Sequence, residues 1–212
     1  MSSITVRQRF RSELEEHGTQ FPAHGGGPPP VSPQPPVSNA RLGMVMLIAA
    51  ETMLFVGLIG SYVMFRVGSV AWPSAHLYLP IALTWLNTAV LLTSGYTMHR
   101  AVRATRLSNQ TMVFSWLGRT TLLGVLFLSI QGYEWLQLIR DGLTISTGIY
   151  GATFYTLIGC HALHVLAAVI WLSILYGRTR KQSVPVQVEI CGMYWHYVCA
   201  LWVVLFALVY LN

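Results

Sequence analysis

Charge is what this 212-residue chain has least of: Asp, Glu, Lys and Arg together make up 9% of it, while 54% of its positions are apolar. Soluble domains carry about 25% charged residues, so a water-exposed globule is excluded. Disorder along most of the chain is excluded too, because so apolar a sequence has ample surface to bury. Cysteine is nearly as scarce. Cys160, Cys191 and Cys199 form no CxxC pair and no even-numbered framework, so neither a redox motif nor a disulfide scaffold is indicated. All three lie in apolar runs, where a free cysteine reads as a small interior hydrophobe. The formal charge of +6 does not point to nucleic acid, because the basic residues sit in short clusters between long uncharged runs, as in a membrane protein.

Proline and glycine are unevenly spread. Seven of the ten prolines fall in residues 1–40, with Gly25 to Gly27 and the run Pro28 to Pro36. An extended, mobile tail is expected there, since such a stretch sustains neither a helix nor a sheet ladder. Ahead of it, Ile4 to His17 could form a short helix opened by the capping pattern Ser12-x-x-Glu15. No apolar core follows the first basic residues, so a secretory signal peptide is not expected.

Beyond residue 40 come five runs long enough to cross a hydrocarbon core of about 30 Å: 42–65, 77–98, 111–139, 149–176 and 190–211. Backbone groups in lipid must be satisfied internally, so each run is expected to be an α-helix. The fold class that follows is an all-α membrane protein, a five-transmembrane-helix bundle formed by residues 41–212, with short connections of about ten residues making neighbours antiparallel. Ten basic residues (Arg7, Arg9, Arg11, Arg41, Arg100, Arg103, Arg106, Arg178, Arg180, Lys181) fall on one side and two, Arg66 and Arg140, on the other. That bias puts the N-terminus in the cytoplasm and the C-terminus outside.

Ionisable groups inside such spans are costly and mark function or pairing. At about 1.5 Å per residue, Glu51 lies about 14 Å from the inner edge and Arg119 and His196 about 12 Å. His161 falls near the same level and His164 one turn below. The expectation is a buried polar network of Glu51, His161, His164, Arg119 and His196, in which Glu51 bonds one of the two span-four histidines and Arg119 lies nearby or snorkels inward. Two imidazoles at i and i+3 share a face, and with His196 and Glu51 they could complete a mixed N/O metal site; hydrogen-bonded packing groups are the competing reading. Glu189, at the start of span five, reads as a cap favoured by the helix dipole. Glu134, in Gln131-Gly-Tyr-Glu134-Trp, reads as an interface acid accepting from a partner helix or loop. Trp72, Tyr78, Trp171, Trp195 and Trp202 read as anchoring and packing groups. The ridges Gly57-x-x-x-Ser61 and Gly148-x-x-x-Ala152 permit close helix approach.

On these residues the chain resembles subunit III of the haem-copper terminal oxidases, in its five-helix form, most closely the cytochrome c oxidase type. The resemblance rests on Leu42-Gly-Met44 to Glu51 with Phe55, Gly57 and Tyr62, on Leu86-Asn-Thr-Ala to Gly95, and on Gln131-x-x-Glu134. It continues through Tyr150-Gly-Ala-Thr-Phe-Tyr155 and Gly159-Cys-His161-Ala-Leu-His164-Val to Glu189 with Tyr194-Trp-His196-Tyr and Trp202. It covers residues 41–212 in order. The two spans that precede these in longer members are absent, Cys160 stands for the usual Phe, Ala162 for Gly, and Cys199 for an acid.

The resemblance implies an accessory chain without a redox centre or catalytic residue of its own. Haem a, haem a3 and copper would belong to partner subunits I and II, with cytochrome c as the donor to the complex and a bacterial plasma membrane as its location. The chain would pack on subunit I, support its proton uptake and bind phospholipid; Gln131, Glu134, Glu189, Trp195 and Trp202 would be structural or interface polar groups. Accessory roles in a quinol oxidase or nitric oxide reductase, and an autonomous His-ligated metal or haem protein, are the alternatives. A small transporter would want repeats or broken helices, and neither is evident.

Overall fold

The computed structural model describes residues 39–68, 81–142 and 144–211. The proline-rich segment with Ile4 to His17, and Trp72 and Tyr78, lie outside the described residues. Among the described residues five long α-helices follow one another: α1 (Asn39–Gly68), α2 (Ile81–Arg106), α3 (Gln110–Arg140), α4 (Ile149–Thr179) and α5 (Pro185–Tyr210), with a 3-10 turn (Ile145–Thr147) between α3 and α4. Helix α2 packs on α3 and α5, and α4 completes the ring by packing on α3 and α5 in turn, while α1 leans only on α4 and α5.

Four of the five helices are both long and apolar enough to cross a membrane; α2 is not among them. The reason is visible in its buried face. Thr84, Asn87, Thr88, Ser94 and Thr97 are all buried, alongside Leu91, Met98, Ala101 and Ala104. These positions recur at helical spacing and form one inward stripe, so the polarity that lowers its hydropathy is enclosed by α3 and α5. The apolar run of the sequence ends at Met98, yet the helix continues to Arg106. Residues 99–106 are mostly good helix formers, and Ala101 and Ala104 keep packing on the bundle.

The connections after α2, α3 and α4 are shorter than expected. Only residues 107–109 join α2 to α3, and this tight reversal needs Ser108 at a φ of 54°, a left-handed conformation uncommon outside glycine. Asn109 then caps α3, its side-chain oxygen accepting from the Met112 N–H at 3.1 Å, as N-cap asparagines do. Helix α5 begins at Pro185, which occupies its first turn, where a missing N–H costs nothing. The Gln110 amide, at the start of α3, donates to the Thr179 and Gln182 carbonyls at 2.9 and 3.3 Å, tying the two short connections together.

The core is aromatic and tightly fitted. Trp195 and Trp202 are fully buried with Phe127 and Phe154, and Trp202 meets Phe127 edge to face at 5.1 Å. A Cβ at Gly124 would stand 2.8 Å from the Trp195 ring and 2.9 Å from a Val169 methyl, so a hydrogen is the only side chain the α3–α4–α5 junction admits there. Gly132, one helix face away, has nothing within 4 Å. Gly124→Ala is therefore expected to destabilise the bundle by about 1–3 kcal/mol through overpacking. Gly132→Ala should be neutral or gain up to about 1 kcal/mol from helix propensity. Thermal unfolding of both variants in mild detergent checks the contrast.

Candidate functional site

Helix α1 contributes only Met44, Phe55 and Tyr62 to the buried core, and between them Glu51 turns towards α4 and α5. The Tyr194 hydroxyl of α5 donates to Glu51 Oε1 at 3.2 Å. His164 Nε2 of α4 faces the same oxygen at 3.8 Å, too long for a hydrogen bond and within ion-pair range. One residue on, the Thr52 hydroxyl reaches the Ile48 carbonyl at 2.7 Å and the Tyr197 hydroxyl at 3.4 Å. Phe55 packs edge-on against the His164 ring at 5.1 Å.

The other ring nitrogen of His164 decides its tautomer. Nδ1 lies 2.7 Å from the Cys160 carbonyl, an acceptor only, so Nδ1 carries the hydrogen. Nε2 in the neutral imidazole is then an acceptor pointing at a carboxyl oxygen. Nε2 faces Glu51 Oε1 across 3.8 Å, without a hydrogen bond between them.

His161 takes no part in that contact. It is fully buried, its ring stacked on Trp202 at 5.2 Å, and neither ring nitrogen has a hydrogen-bond partner. The two histidines three residues apart diverge, one towards α1 and the other into the core. Among the described residues no group of three or more His, Cys, Asp or Glu is placed to hold a metal ion.

A second polar cluster joins α2 to α3. Glu134 is fully buried and accepts from the Thr84 hydroxyl at 2.9 Å and from the Gln131 amide at 3.3 Å. Gln131 in turn accepts from the Asn87 amide at 3.3 Å. Farther along the same seam Thr97 and Thr120 share a hydroxyl bond of 2.8 Å. On its α5 side α2 offers Thr88 to the Trp202 N–H at 3.0 Å and Ser94 to the Trp195 N–H at 3.1 Å. Glu134 thus lies in the core and accepts from a neighbouring helix.

The remaining expected residues sit elsewhere. Arg119 is exposed, and its guanidinium lies 4.5 Å from the Trp116 ring centre, so it does not join Glu51 and the histidines. His196 is exposed as well; its Nδ1 meets the Gly192 carbonyl and its ring stands edge-on to His99 at 6.3 Å. Glu189 is not a cap: Val184 holds that position without a side-chain bond, and Glu189, one turn inside, pairs with Arg41 and with Arg106 Nε, the latter at 3.6 Å. Glu189, Arg41, Arg106, His99 and His196 line a groove of about 550 Å³ between the start of α1, the end of α2 and the start of α5.

In the sequence the α2 residues Asn87, Thr88 and Ser94 stand only as part of a matched stretch, with no role, because no residue on this face is ionisable. The signal was the spacing of Thr84, Asn87, Thr88, Ser94 and Thr97 on one helical face. Tyr194 was quoted within a motif without a role. For this seam a double-mutant cycle is informative: Thr88→Val and Trp202→Phe should each destabilise the chain, and the coupling between them should be about 1 kcal/mol. Detergent unfolding of the two single variants and the double variant measures it.

The model of the family described as cytochrome c oxidase subunit III matches residues 35–212, a span that takes in all five helices. Among known proteins the chain is 35% identical over 176 residues to the cytochrome c oxidase subunit 3 of Synechocystis sp., covering 80% of this chain and 74% of that one. It is 33% identical over 178 residues to that of Corynebacterium diphtheriae, with 80% and 86% covered. To that of Bacillus subtilis it is 31% identical over 178 residues, with 82% and 86% covered. With a match of this extent, the chain belongs to the cytochrome c oxidase subunit III family.

Proposed function

We propose that this chain is the accessory, non-redox subunit III of a respiratory cytochrome c oxidase, set in a bacterial plasma membrane and packed against subunit I. The observation that carries the reading is the family match across the whole helical bundle, residues 35–212. In such a complex, electrons pass from cytochrome c to O2 through haem a, haem a3 and copper held by subunits I and II, while protons are pumped. This chain stabilises subunit I and supports its proton uptake, and phospholipid fills gaps at its surface.

All five helices cross the membrane in this proposal. Helix α2, at 26 residues, exceeds the roughly 20 needed. Its polar stripe is enclosed, while Trp85, Leu86, Leu92 and Tyr96 face outward. Cations gather where α1 and α5 begin and where α2 and α4 end: Arg41, Arg103, Arg106, Arg178 and Arg180, with Lys181 just beyond. Arg66 and Arg140 mark the opposite ends of α1 and α3. This distribution favours a cytoplasmic N-terminus and an outer C-terminus.

Glu51, His164 and Tyr194 form the buried polar contact that fastens α1 to the ring, with His161 beside it in the core. Glu51 is a brace in this role and touches no reacting atom. Glu51→Gln keeps an oxygen at the Oε1 position to accept from the Tyr194 hydroxyl, so assembly should survive it. Glu51→Ala leaves the tyrosine and imidazole unpaired and should cost about 1–3 kcal/mol. The yield and thermal stability of the complex carrying each variant check this, and equal behaviour of the two would show that the carboxyl makes no structural bond.

The functional reading itself is tested on native membranes. Solubilised in mild detergent, the chain should co-purify with haem- and copper-bearing subunits I and II, identified by mass spectrometry. A chain that purifies alone, with stoichiometric haem or iron bound to it, overturns the reading.

A further inference from the structure

We propose that the face shared by α2 and α3 around Arg100, Trp116 and Arg119 is a binding site for the phosphate of an anionic phospholipid. It rests on the reading that the chain spans a membrane. Arg100, from α2, and Arg119, from α3, lie over the same Trp116 ring, 5.1 and 4.5 Å from its centre. Arg100 also donates to the exposed Tyr96 hydroxyl at 3.2 Å. Two guanidiniums are thereby gathered on one aromatic platform. Neither has a carboxylate within ion-pair distance among the described residues, whose salt bridges all end on Glu51 or Glu189.

That arrangement is incomplete on physical grounds. Guanidinium keeps its charge in any protein setting, and a ring face offsets only part of the loss when the charge leaves water. The depth narrows what supplies the missing anion. Helix α3 has 31 residues, about 46 Å, so about 8 Å projects beyond the hydrocarbon core at each end. Arg119 is nine residues from the start of α3, about 14 Å along the axis. Its side chain folds back over Trp116 towards that end, which brings the charge close to the hydrocarbon edge. Arg100 comes to the same level from α2, six residues before its end.

Phosphoester groups of the bilayer lie just outside that edge, and planar guanidinium forks match phosphate oxygens two at a time. Deeper along the same helix faces, Leu92 and Leu122 are 48% and 69% exposed, a track for the acyl chains. The Arg41–Arg106 groove is the weaker candidate for an anion because Glu189 already occupies both arginines.

The test is native mass spectrometry of the full chain in mild detergent, titrated separately with phosphatidylglycerol, phosphatidylcholine and inorganic phosphate. Phosphatidylglycerol should be retained in preference to phosphatidylcholine. Arg100→Gln and Arg119→Gln should each weaken that retention about tenfold, while Arg103→Gln, on an exposed position of the same helix, should leave it unchanged. If Arg119→Gln fails to fold, Arg119→Lys keeps the charge without the fork and should weaken retention in a folded chain. Equal retention of the two lipids, or indifference to the Arg100→Gln/Arg119→Gln double variant, overturns the proposal. So does inorganic phosphate binding as tightly as the lipid, which would make this a free-phosphate site. Loss of subunit I from the Arg119→Gln complex with lipid retention intact would assign the face to a partner carboxylate and also overturn it. Alkaline extraction separates the two levels: release of the wild-type chain from membranes sinks the membrane-spanning reading, whereas a retained but lipid-indifferent chain sinks only the site.

Discussion

The bundle depends on the matching of α2's polar stripe by α3 and α5. Away from water, a hydroxyl or amide without a partner costs about 1–3 kcal/mol, whereas a completed bond returns about 1 kcal/mol net. The penalty for misregister is therefore larger than the gain from any single contact. Thr84 with Glu134, Asn87 with Gln131 and Thr97 with Thr120 descend one helix as they climb the other. A one-turn slip of α2 on α3 would break all three together. Thr88 with Trp202 and Ser94 with Trp195 fix α2 on α5 in the same way. Helix α2 is thus held on two sides by pairings that an apolar interface of leucines would leave free to slide.

Helix α1 depends on this frame without adding to it. Its hydrocarbon face is exposed along most of its length, and only three of its residues are buried. What fixes its height is polar: Arg41 on Glu189, Glu51 between Tyr194 and His164, and Thr52 at Tyr197. The partners on α5 rise in step with the α1 residues, as parallel helices require, while His164 comes from the antiparallel α4. Since these partners belong to helices already locked to α2 and α3, the register of α1 is inherited from the ring. A helix so placed is the one least protected against local opening, and contacts with another chain would add most stability there.

Helix existence and order were legible in the sequence because long apolar runs leave few alternatives once backbone groups must be satisfied internally. The ends were less legible. Arg100, Arg103 and Arg106 broke the apolar run without breaking the helix, since arginine is a good helix former and hydropathy does not measure where hydrogen bonds stop. Of the candidate site residues, Glu51 and His164 come together, whereas Arg119 and His196 do not. Matched depth was the basis for grouping these four with His161, but depth leaves the rotation of each helix open. Arg119 and Glu51 belong to helices that make no contact with each other. The polar stripe of α2 stood in the sequence at helical spacing and went unread, because attention to ionisable groups passes over threonine, serine and asparagine.

His161 and His164 show what the i, i+3 spacing does and does not decide. Three residues advance a helix by about 300°, so neighbouring rings leave the axis some 60° apart and can address different helices. Here His164 is oriented by the Cys160 carbonyl at Nδ1, with a Glu51 oxygen 3.8 Å from Nε2. His161 instead lies flat against Trp202, whose own N–H is committed to Thr88. The indole thus connects the imidazole to the α2 stripe by packing on one face and by a hydrogen bond at its edge. Displacing either ring would disturb the seam that sets the helix register, so the two histidines are held by different requirements: His164 by the Cys160 carbonyl of its own helix and the Glu51 carboxyl of α1, His161 by the shape of the core.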